Sequence, residues 1–296
     1  MTFEYLQLTE QAAASHWGWT IALFLWLVGL SGMSLFLNAW LRSKLVTYIA
    51  AAAGVLGTLL VLSHLTRIWN LPMAAINALL KGSFNFTSWM FIGICLLAVL
   101  CIVTVLQSLA LYFSTAKGSR CPFAESSALA YFNAVLGVAA TIYSGFLLTQ
   151  AQGVPLWNTA ALPILWICSG LASAIGAAEI LKSTGKFDGR GAPWLGGAAN
   201  GVHVAEAIVL FAFVATALSG TPGAQAGAAM LLKGDASMLF WGGAVVVGII
   251  VPLFASWKLK GLEGSGTASG FCSIAGALAL RASVLFAGYF DPTMML

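Results

Sequence analysis

Apolar residues run through this 296-residue chain in eight long segments, separated by short stretches that are polar or rich in glycine. Each segment is about as long as the 20 residues that an α-helix needs to cross a bilayer. A helix also satisfies its own backbone hydrogen bonds, as the hydrocarbon interior requires. The pattern therefore predicts an all-α integral membrane protein with eight transmembrane helices, at about residues 18–41, 46–66, 86–113, 126–148, 159–182, 198–220, 236–257 and 267–290.

The composition agrees with this interpretation. Hydrophobic residues make up 60% of the chain and charged residues only 7%, which leaves too little charge for the surface of a soluble domain. The longest connection, residues 67–85, is too short for such a domain, so residues 1–296 are predicted to form a single transmembrane domain. Residues 1–16 contain no Lys or Arg, so they lack the positive region of a cleavable signal and the first segment is predicted to be retained.

The positive charges indicate an orientation. If the eight segments alternate in direction, three cations (Arg67, Lys81 and Lys233) fall in the connections on the side of the termini. Nine fall on the other side: Arg42, Lys44, Lys117, Arg120, Lys182, Lys186, Arg190, Lys258 and Lys260. Connections rich in Lys and Arg stay in the cytoplasm. Both termini are therefore predicted to lie on the non-cytoplasmic side.

The fourth and fifth segments are joined by a short polar connection, residues 149–158, which carries amides and a tryptophan but no charge. Tyr143 lies about a turn and a half before the fourth segment ends. The tyrosine is therefore predicted to lie just below one membrane surface, where a small amphipathic ring could dock. Interfacial anchoring is the alternative, because Tyr and Trp are enriched at membrane surfaces in general.

Four consecutive motifs in this region resemble the polysulfide reductase/NrfD family, the quinone-interacting membrane subunits of multi-subunit oxidoreductases. They are Tyr-Ser-Gly-Phe-Leu-Leu (143–148), Val-Pro-Leu-Trp-Asn-Thr (154–159), Leu-Pro-Ile-Leu (162–165) and Ser-Gly-Leu-Ala-Ser-Ala (169–174). The segment Ser-His-Leu-Thr-Arg (63–67), with Pro72 and Asn77, also resembles the related dimethyl sulfoxide reductase anchor subunits. Both branches imply a quinol-linked membrane anchor.

The resemblance implies a quinone- or quinol-binding anchor subunit of a respiratory complex in the bacterial cytoplasmic membrane. Its exchangeable cofactor would be menaquinone or ubiquinone. Its partners would be an extrinsic iron–sulfur subunit, a molybdopterin catalytic subunit and membrane lipid, but no nucleic acid. Electrons could flow in either direction, and no catalytic residue is predicted in this chain.

Several polar side chains are predicted to gather at the depth of Tyr143. Quinol oxidation releases two protons with two electrons, so its site needs groups that bond to the ring oxygens and accept protons. Histidine exchanges protons near neutral pH, and a tyrosine hydroxyl both donates and accepts. The resemblance matches Tyr143 to the family's tyrosine near the quinone headgroup. The other candidates for the quinone site are His16, His64, Arg67, Trp89 and Gln150.

Neither haem nor an iron–sulfur cluster is predicted in the chain. Its five cysteines are scattered without a Cys-x-x-Cys pair, whereas a cluster needs about four cysteines brought together. A transmembrane haem commonly takes two histidines at matching depth, but His203 is predicted near the opposite face from His16 and His64. No metal site is predicted either.

Four ionisable residues lie inside the apolar segments: Glu179, His203, Glu206 and Arg281. Ionisable groups at membrane depth are costly and usually functional. His203 and Glu206 are three residues apart and so share a helix face. The four residues are predicted to form a proton path from the cytoplasmic side. The alternatives are a structural Glu206–Arg281 pair, or a Glu179 side chain that simply extends to the nearby membrane edge.

Two other functions remain as alternatives, a multi-span transporter and a purely structural anchor. Transporters often show broken helices and paired half-repeats. The sequence shows neither, although a four-plus-four symmetry could still exist in the structure. Binding of a quinone analogue would separate the three functions. The connections at residues 221–227 and 261–270 are interpreted as ordinary loops.

Overall fold

The computed structural model describes residues 17–64, 76–77, 80–81, 88–119, 121–151, 153–258 and 264–289. Eight helices in these ranges are long and apolar enough to cross a membrane, which confirms the predicted number of spans. Their ends lie within a few residues of the predicted ones. The helices are α1 (Trp19–Leu41), α2 (Lys44–Ser63), α3 (Trp89–Ala116), α4 (Ser127–Thr149), α5 (Ala161–Ser183), α6 (Leu195–Leu218), α7 (Pro222–Lys233), α8 (Leu239–Lys258) and α9 (Ser265–Phe286), of which only the short α7 is not a span.

The spans pack as two four-helix rings. In the first unit, α1 packs on α2, α2 on α3, α3 on α4, and α4 returns to α1. In the second unit, α5, α6, α8 and α9 contact one another in the same order. The two units meet where α1 packs on α5 and α9, and where α4 packs on α5. The packing therefore repeats four-plus-four, although the residues of the two halves show no clear similarity.

Glycines allow the helices of each ring to approach closely. A side chain on Gly137 of α4 would overlap the carbonyl of Gly32 on α1, and the reverse is also true. In the second unit, Gly176 of α5 and Gly270 of α9 face each other in the same way. Small residues at helix crossings are typical of membrane bundles, where packing rather than the hydrophobic effect drives association.

One span has an unusual helical register. Residues Leu239–Ile250 of α8 form a π-helix, in which the Val251 N–H donates to the Val246 carbonyl. The helix returns to the α register at Val251–Lys258. Pro252 lies inside this span, just after the change of register, and its missing N–H removes one hydrogen bond of the helix. The span is continuous throughout, so it is not one of the broken helices typical of transporters.

The interpretation of residues 221–227 as a loop is wrong, because α7 begins at Pro222. The Thr221 side chain accepts a hydrogen bond from the Ala224 N–H at 3.4 Å, and proline occupies the first turn. Both features favour a helix start. The buried face of α7 is formed by Gly223, Ala224, Gly227, Ala228 and Leu231.

We expect Gly137→Ala to destabilise the first unit, because the added methyl would overlap the Gly32 carbonyl. Overpacking of this kind costs about 1–3 kcal/mol. The measurement is the thermal unfolding midpoint of the purified protein in detergent. Gly242→Ala is the matched control, since nothing lies within 4 Å of a side chain built there. Equal midpoints for the two variants would contradict the close crossing.

Candidate functional site

Tyr143 lies against the main chain of the neighbouring helix. Its side chain is only 6% exposed, and a Cβ built on Gly93 of α3 would overlap the Tyr143 Cζ and Oη atoms. No hydrogen bond joins the Tyr143 hydroxyl to another described residue. The Tyr143 ring is therefore held between α3 and α4, with a hydroxyl that no described residue engages.

The contact between α3 and α4 at Gly93 and Tyr143 is called the α3–α4 seam below. An aromatic pair extends this seam toward the end of the bundle. The Trp89 and Phe146 rings are stacked, with centroids 5.1 Å apart and planes at 22°. Trp89 is four residues before Gly93, and Phe146 three residues after Tyr143, as expected for antiparallel neighbours. The Ser88 hydroxyl caps α3 by accepting from the Phe91 N–H at 3.4 Å. This cap sets the start of α3 and so the position of Trp89.

The connection between the two units folds back into the protein. Val154, Leu156 and Trp157 are at most 1% exposed. The Trp157 Nε1 donates to the Val284 carbonyl of α9 at 2.9 Å, and its ring packs against Gly288. The tryptophan thus attaches the connection to the second unit.

The structure brings two of the candidate quinone-site residues, Tyr143 and Trp89, onto one seam. His64 and Gln150 lie at the same end of the bundle as the C-caps of α2 and α4, and both are exposed. His16 and Arg67 lie outside the described residues.

A buried polar cluster occupies the second unit. His203 and Glu206 on α6 are 2% and 4% exposed, and the His203 Nδ1 lies 3.6 Å from the Glu206 Oε2. On its other side, the His203 Nε2 is 3.1 Å from the Ser273 hydroxyl of α9. Ser273 in turn donates to the Ser269 carbonyl at 3.0 Å.

Arg281 is completely buried where α1, α5 and α9 meet. It donates to the Ser169 hydroxyl at 2.8 Å and to the carbonyls of Ala277 and Trp166 at 3.0 and 3.2 Å. Its guanidinium also lies 5.2 Å from the centroid of the Trp166 ring. Among the described residues Arg281 makes no salt bridge within 4.0 Å, although Glu206 is close enough for an electrostatic attraction.

A cavity of about 290 Å³ leads toward this cluster from the end of the bundle where α5 ends and α6 begins. Glu179, Asn200 and Ser269 contribute to its lining. Glu179 is half-buried and within electrostatic range of His203. Because Ser269 bonds to Ser273 and Ser273 to His203, polar groups connect the cavity to the interior. The structure thus brings all four predicted intramembrane ionisable residues into one region.

The sequence matches a model of the family described as polysulphide reductase, NrfD, over residues 7–292. The protein belongs to the NrfD family. It is 28% identical to the C subunit of polysulfide reductase from Wolinella succinogenes, over 94% of its own length and 96% of that protein. It is also 27% identical to protein NrfD of Escherichia coli K12, over 94% of its own length and 98% of the relative. The family resemblance of the central motifs is therefore confirmed.

The NrfD match covers both units, so the Tyr143 seam and the His203–Glu206 cluster both lie inside the matched region. In the described part of the protein, no three His, Cys, Asp or Glu side chains come together as metal ligands. The five cysteines, Cys95, Cys101, Cys121, Cys168 and Cys272, are unpaired.

Reasoning from the sequence alone missed two residues of these sites. Gly93 is an isolated glycine in the apolar third span, and such a glycine usually has a packing reason. That reason is visible here as the contact with Tyr143. Ser273 is one small hydroxyl among several in the last span, and nothing local distinguishes it from the others.

Proposed function

We propose that this NrfD-family protein is the quinone- or quinol-binding membrane subunit of a respiratory oxidoreductase. In this proposal it passes electrons between the quinone pool and an extrinsic iron–sulfur subunit. The observation that carries the proposal is the Tyr143 hydroxyl. It belongs to a ring held against Gly93, and it has no hydrogen-bond partner among the described residues.

This geometry suits a quinone headgroup. The ring of the substrate is flat and largely apolar, and the stacked Trp89–Phe146 pair offers aromatic surface one turn away from Tyr143. The Tyr143 hydroxyl can donate to a quinone oxygen or accept from a quinol hydroxyl. His64 and Gln150 lie at the same end of the bundle. We assign them, with His16 and Arg67, to the surroundings of the ring and to the transfer of its two protons.

The proposal assigns the redox centres to partner subunits, first the extrinsic iron–sulfur protein and then a molybdopterin catalytic subunit. Family membership supports this assignment. The name of the Wolinella relative, the C subunit of polysulfide reductase, makes that protein one of several subunits. Menaquinone or ubiquinone would be the exchangeable substrate, and the bacterial cytoplasmic membrane the location.

The orientation follows from the positive charges, nine of which lie in connections on the side opposite the termini. We propose that this side is cytoplasmic and that Tyr143 lies near the other face. A reporter active only in the cytoplasm should therefore be silent when fused after Leu296. The same reporter inserted at Gly185, in the exposed connection after α5, should be active. Activity of the C-terminal fusion would reverse the orientation and the side of the quinone site.

We expect Tyr143→Phe to slow quinol-dependent turnover while preserving the fold, because only the hydroxyl is removed. Loss of a hydrogen bond that leaves a buried polar partner unpaired costs about 1–3 kcal/mol, a factor of roughly 5 to 150. Turnover from an artificial donor to the extrinsic subunits should not change. Tyr131→Phe is the matched control, since Tyr131 is an exposed residue near the opposite end of α4.

Gly93→Ala tests the position of the same hydroxyl. If the methyl moves the Tyr143 ring away from α3, the affinity for a quinone analogue should fall. Adding Tyr143→Phe to Gly93→Ala should then cost little more, since residues in contact give non-additive effects. Unchanged quinol kinetics in Tyr143→Phe, or additive losses in the double variant, would reduce Tyr143 to an interfacial anchor.

We further propose that the second unit carries a proton route. Protons released at the same face where the electrons are consumed move no net charge across the membrane. A complex that generates membrane potential therefore needs a separate path. The 290 Å³ cavity, Glu179, His203, Glu206 and Arg281 provide ionisable and polar groups in that order from the membrane surface.

Glu206→Gln keeps the shape of the side chain but cannot ionise, so it should slow turnover or uncouple it from proton movement in sealed vesicles. Quinone-analogue affinity should stay near that of the unmodified protein, because the Tyr143 seam is in the other unit. Asp235→Asn is the matched control, since Asp235 is an exposed acid between α7 and α8. Full rate and unchanged proton stoichiometry in Glu206→Gln would leave the four residues as a structural cluster.

A further inference from the structure

A second polar cavity, of about 300 Å³, opens in the first unit at the end opposite Tyr143. It lies between the ends of α1, α2, α3 and α4, and the connection between α5 and α6 contributes one side. The proton route proposed above does not involve it, because that route lies in the second unit. Its charged and amide lining consists of Asn38, Arg42, Lys44, Gln107, Glu125 and Arg190.

The charge of this lining is positive, with three cations against one carboxylate. That carboxylate is already matched, since the Glu125 Oε1 lies 3.9 Å from the Lys44 Nζ. Lys44 also donates to the Thr115 hydroxyl at 3.1 Å. The Arg190 side chain has no hydrogen-bond partner among the described residues. The cavity therefore presents unmatched positive charge and no free carboxylate, which favours an anion over an ammonium group.

Arg42 has a left-handed backbone conformation, which is unusual for a residue with a side chain. With φ 52° and ψ 37°, it is the only non-glycine residue with positive φ among the described residues. Glycine is usual at this position after a helix because it avoids the steric cost of a Cβ. The guanidinium of Arg42 donates to the Ala39 and Ser126 carbonyls at 2.8 and 3.1 Å. These bonds fix it in the cavity wall.

Asp188 anchors the α5–α6 connection, which carries Arg190, to the start of α2. Its carboxylate accepts from the backbone N–H of Lys44 at 3.1 Å and from the Ser43 hydroxyl. Two residues later, the Arg190 N–H donates to the Leu41 carbonyl at 2.6 Å. The start of α2, which would otherwise attract an anion, is therefore occupied from within the protein. Recognition in the cavity depends on the side-chain cations.

Gln107 contributes a polar part of the cavity wall, and hydrogen bonds within the protein hold its side chain in place. The Gln107 Nε2 donates to the Ala124 carbonyl at 2.9 Å, and its Oε1 accepts from the Asn133 Nδ2 at 2.7 Å. Behind Gln107, the buried Asn133 Oδ1 is left with no hydrogen-bond partner. The two bonds of Gln107 fix its side chain in the cavity wall.

We propose that this cavity binds a phosphate group, supplied by the headgroup of an anionic phospholipid such as phosphatidylglycerol. Basic pockets between transmembrane helices are suited to anionic lipid headgroups. Arg42 and Lys44 lie at helix ends, the level at which lipid phosphates lie in the bilayer. The Arg190 backbone is bonded to Leu41 at the end of α1. A choline headgroup has no partner here, because Glu125 is matched by Lys44. The inference does not depend on quinone binding or on the orientation of the protein.

The test is lipid titration of the full-length protein, purified in detergent and delipidated, with bound lipids counted by native mass spectrometry. Phosphatidylglycerol should fill the first site more tightly than phosphatidylcholine with the same acyl chains. Arg190→Gln should weaken that first binding about fivefold, since one basic residue near a headgroup contributes about that factor. Its backbone bond to Leu41 is unaffected by the substitution, so the fold should survive, and Arg190→Lys should restore most of the affinity.

Lys117→Gln is the matched control. Lys117 is an exposed cation that caps α3 at the same end but does not line the cavity. The second part of the test is a titration of the same delipidated protein with inorganic phosphate. If it binds alone and Arg190→Gln abolishes that binding, the site takes a free anion rather than the lipid headgroup. Equal first-site affinities for the two lipids without phosphate binding, or an equal loss in Lys117→Gln, would overturn the proposal.

Discussion

Lipid gives helices no hydrophobic gain when they pack together, so this bundle depends on the close approach of main chains. Gly32 and Gly137 allow α1 to contact α4, and Gly176 and Gly270 do the same for α5 and α9. At the junction of the units, Gly29 and Gly170 bring α1 against α5. Each four-helix ring closes at one of these crossings, and every site described above lies in or at the end of a ring.

The space left by a missing side chain also accepts the side chain of a residue from a neighbouring helix. At Gly93 it accepts the ring of Tyr143, and at Gly29 it accepts the guanidinium of Arg281. A charge inside the membrane is costly, but Arg281 is surrounded by three hydrogen-bond acceptors and an aromatic ring. The charge of Arg281 is thus enclosed inside the bundle, at the junction of the two units. Large apolar side chains such as Leu106, Ile208 and Phe211 remain on the outer surface.

The spans could be predicted from the sequence because their length and apolar composition are local properties. Tyr143 could be singled out because it lies in the motifs that resemble the family. The partners of these residues could not be predicted in this way. Arg281 bonds to Ser169, 112 residues away, and Gly32 meets Gly137 only once the rings have closed. Such pairs have no local pattern, and a single sequence does not show which glycines meet. The start of α7 did carry a local pattern, Thr221 followed by Pro222, within a composition that otherwise favours a loop.

The repeated packing bears on how such a protein could have arisen. A unit of four spans returns the polypeptide to the side from which it started. A tandem copy of that unit therefore inserts in the same direction as the first, with its positive connections already on the correct side. Gene duplication and fusion of a four-helix ancestor would need no change in topology, only a linker such as residues 150–160. The later divergence is then visible in the chemistry, with a tyrosine-lined seam in one half and buried ionisable residues in the other.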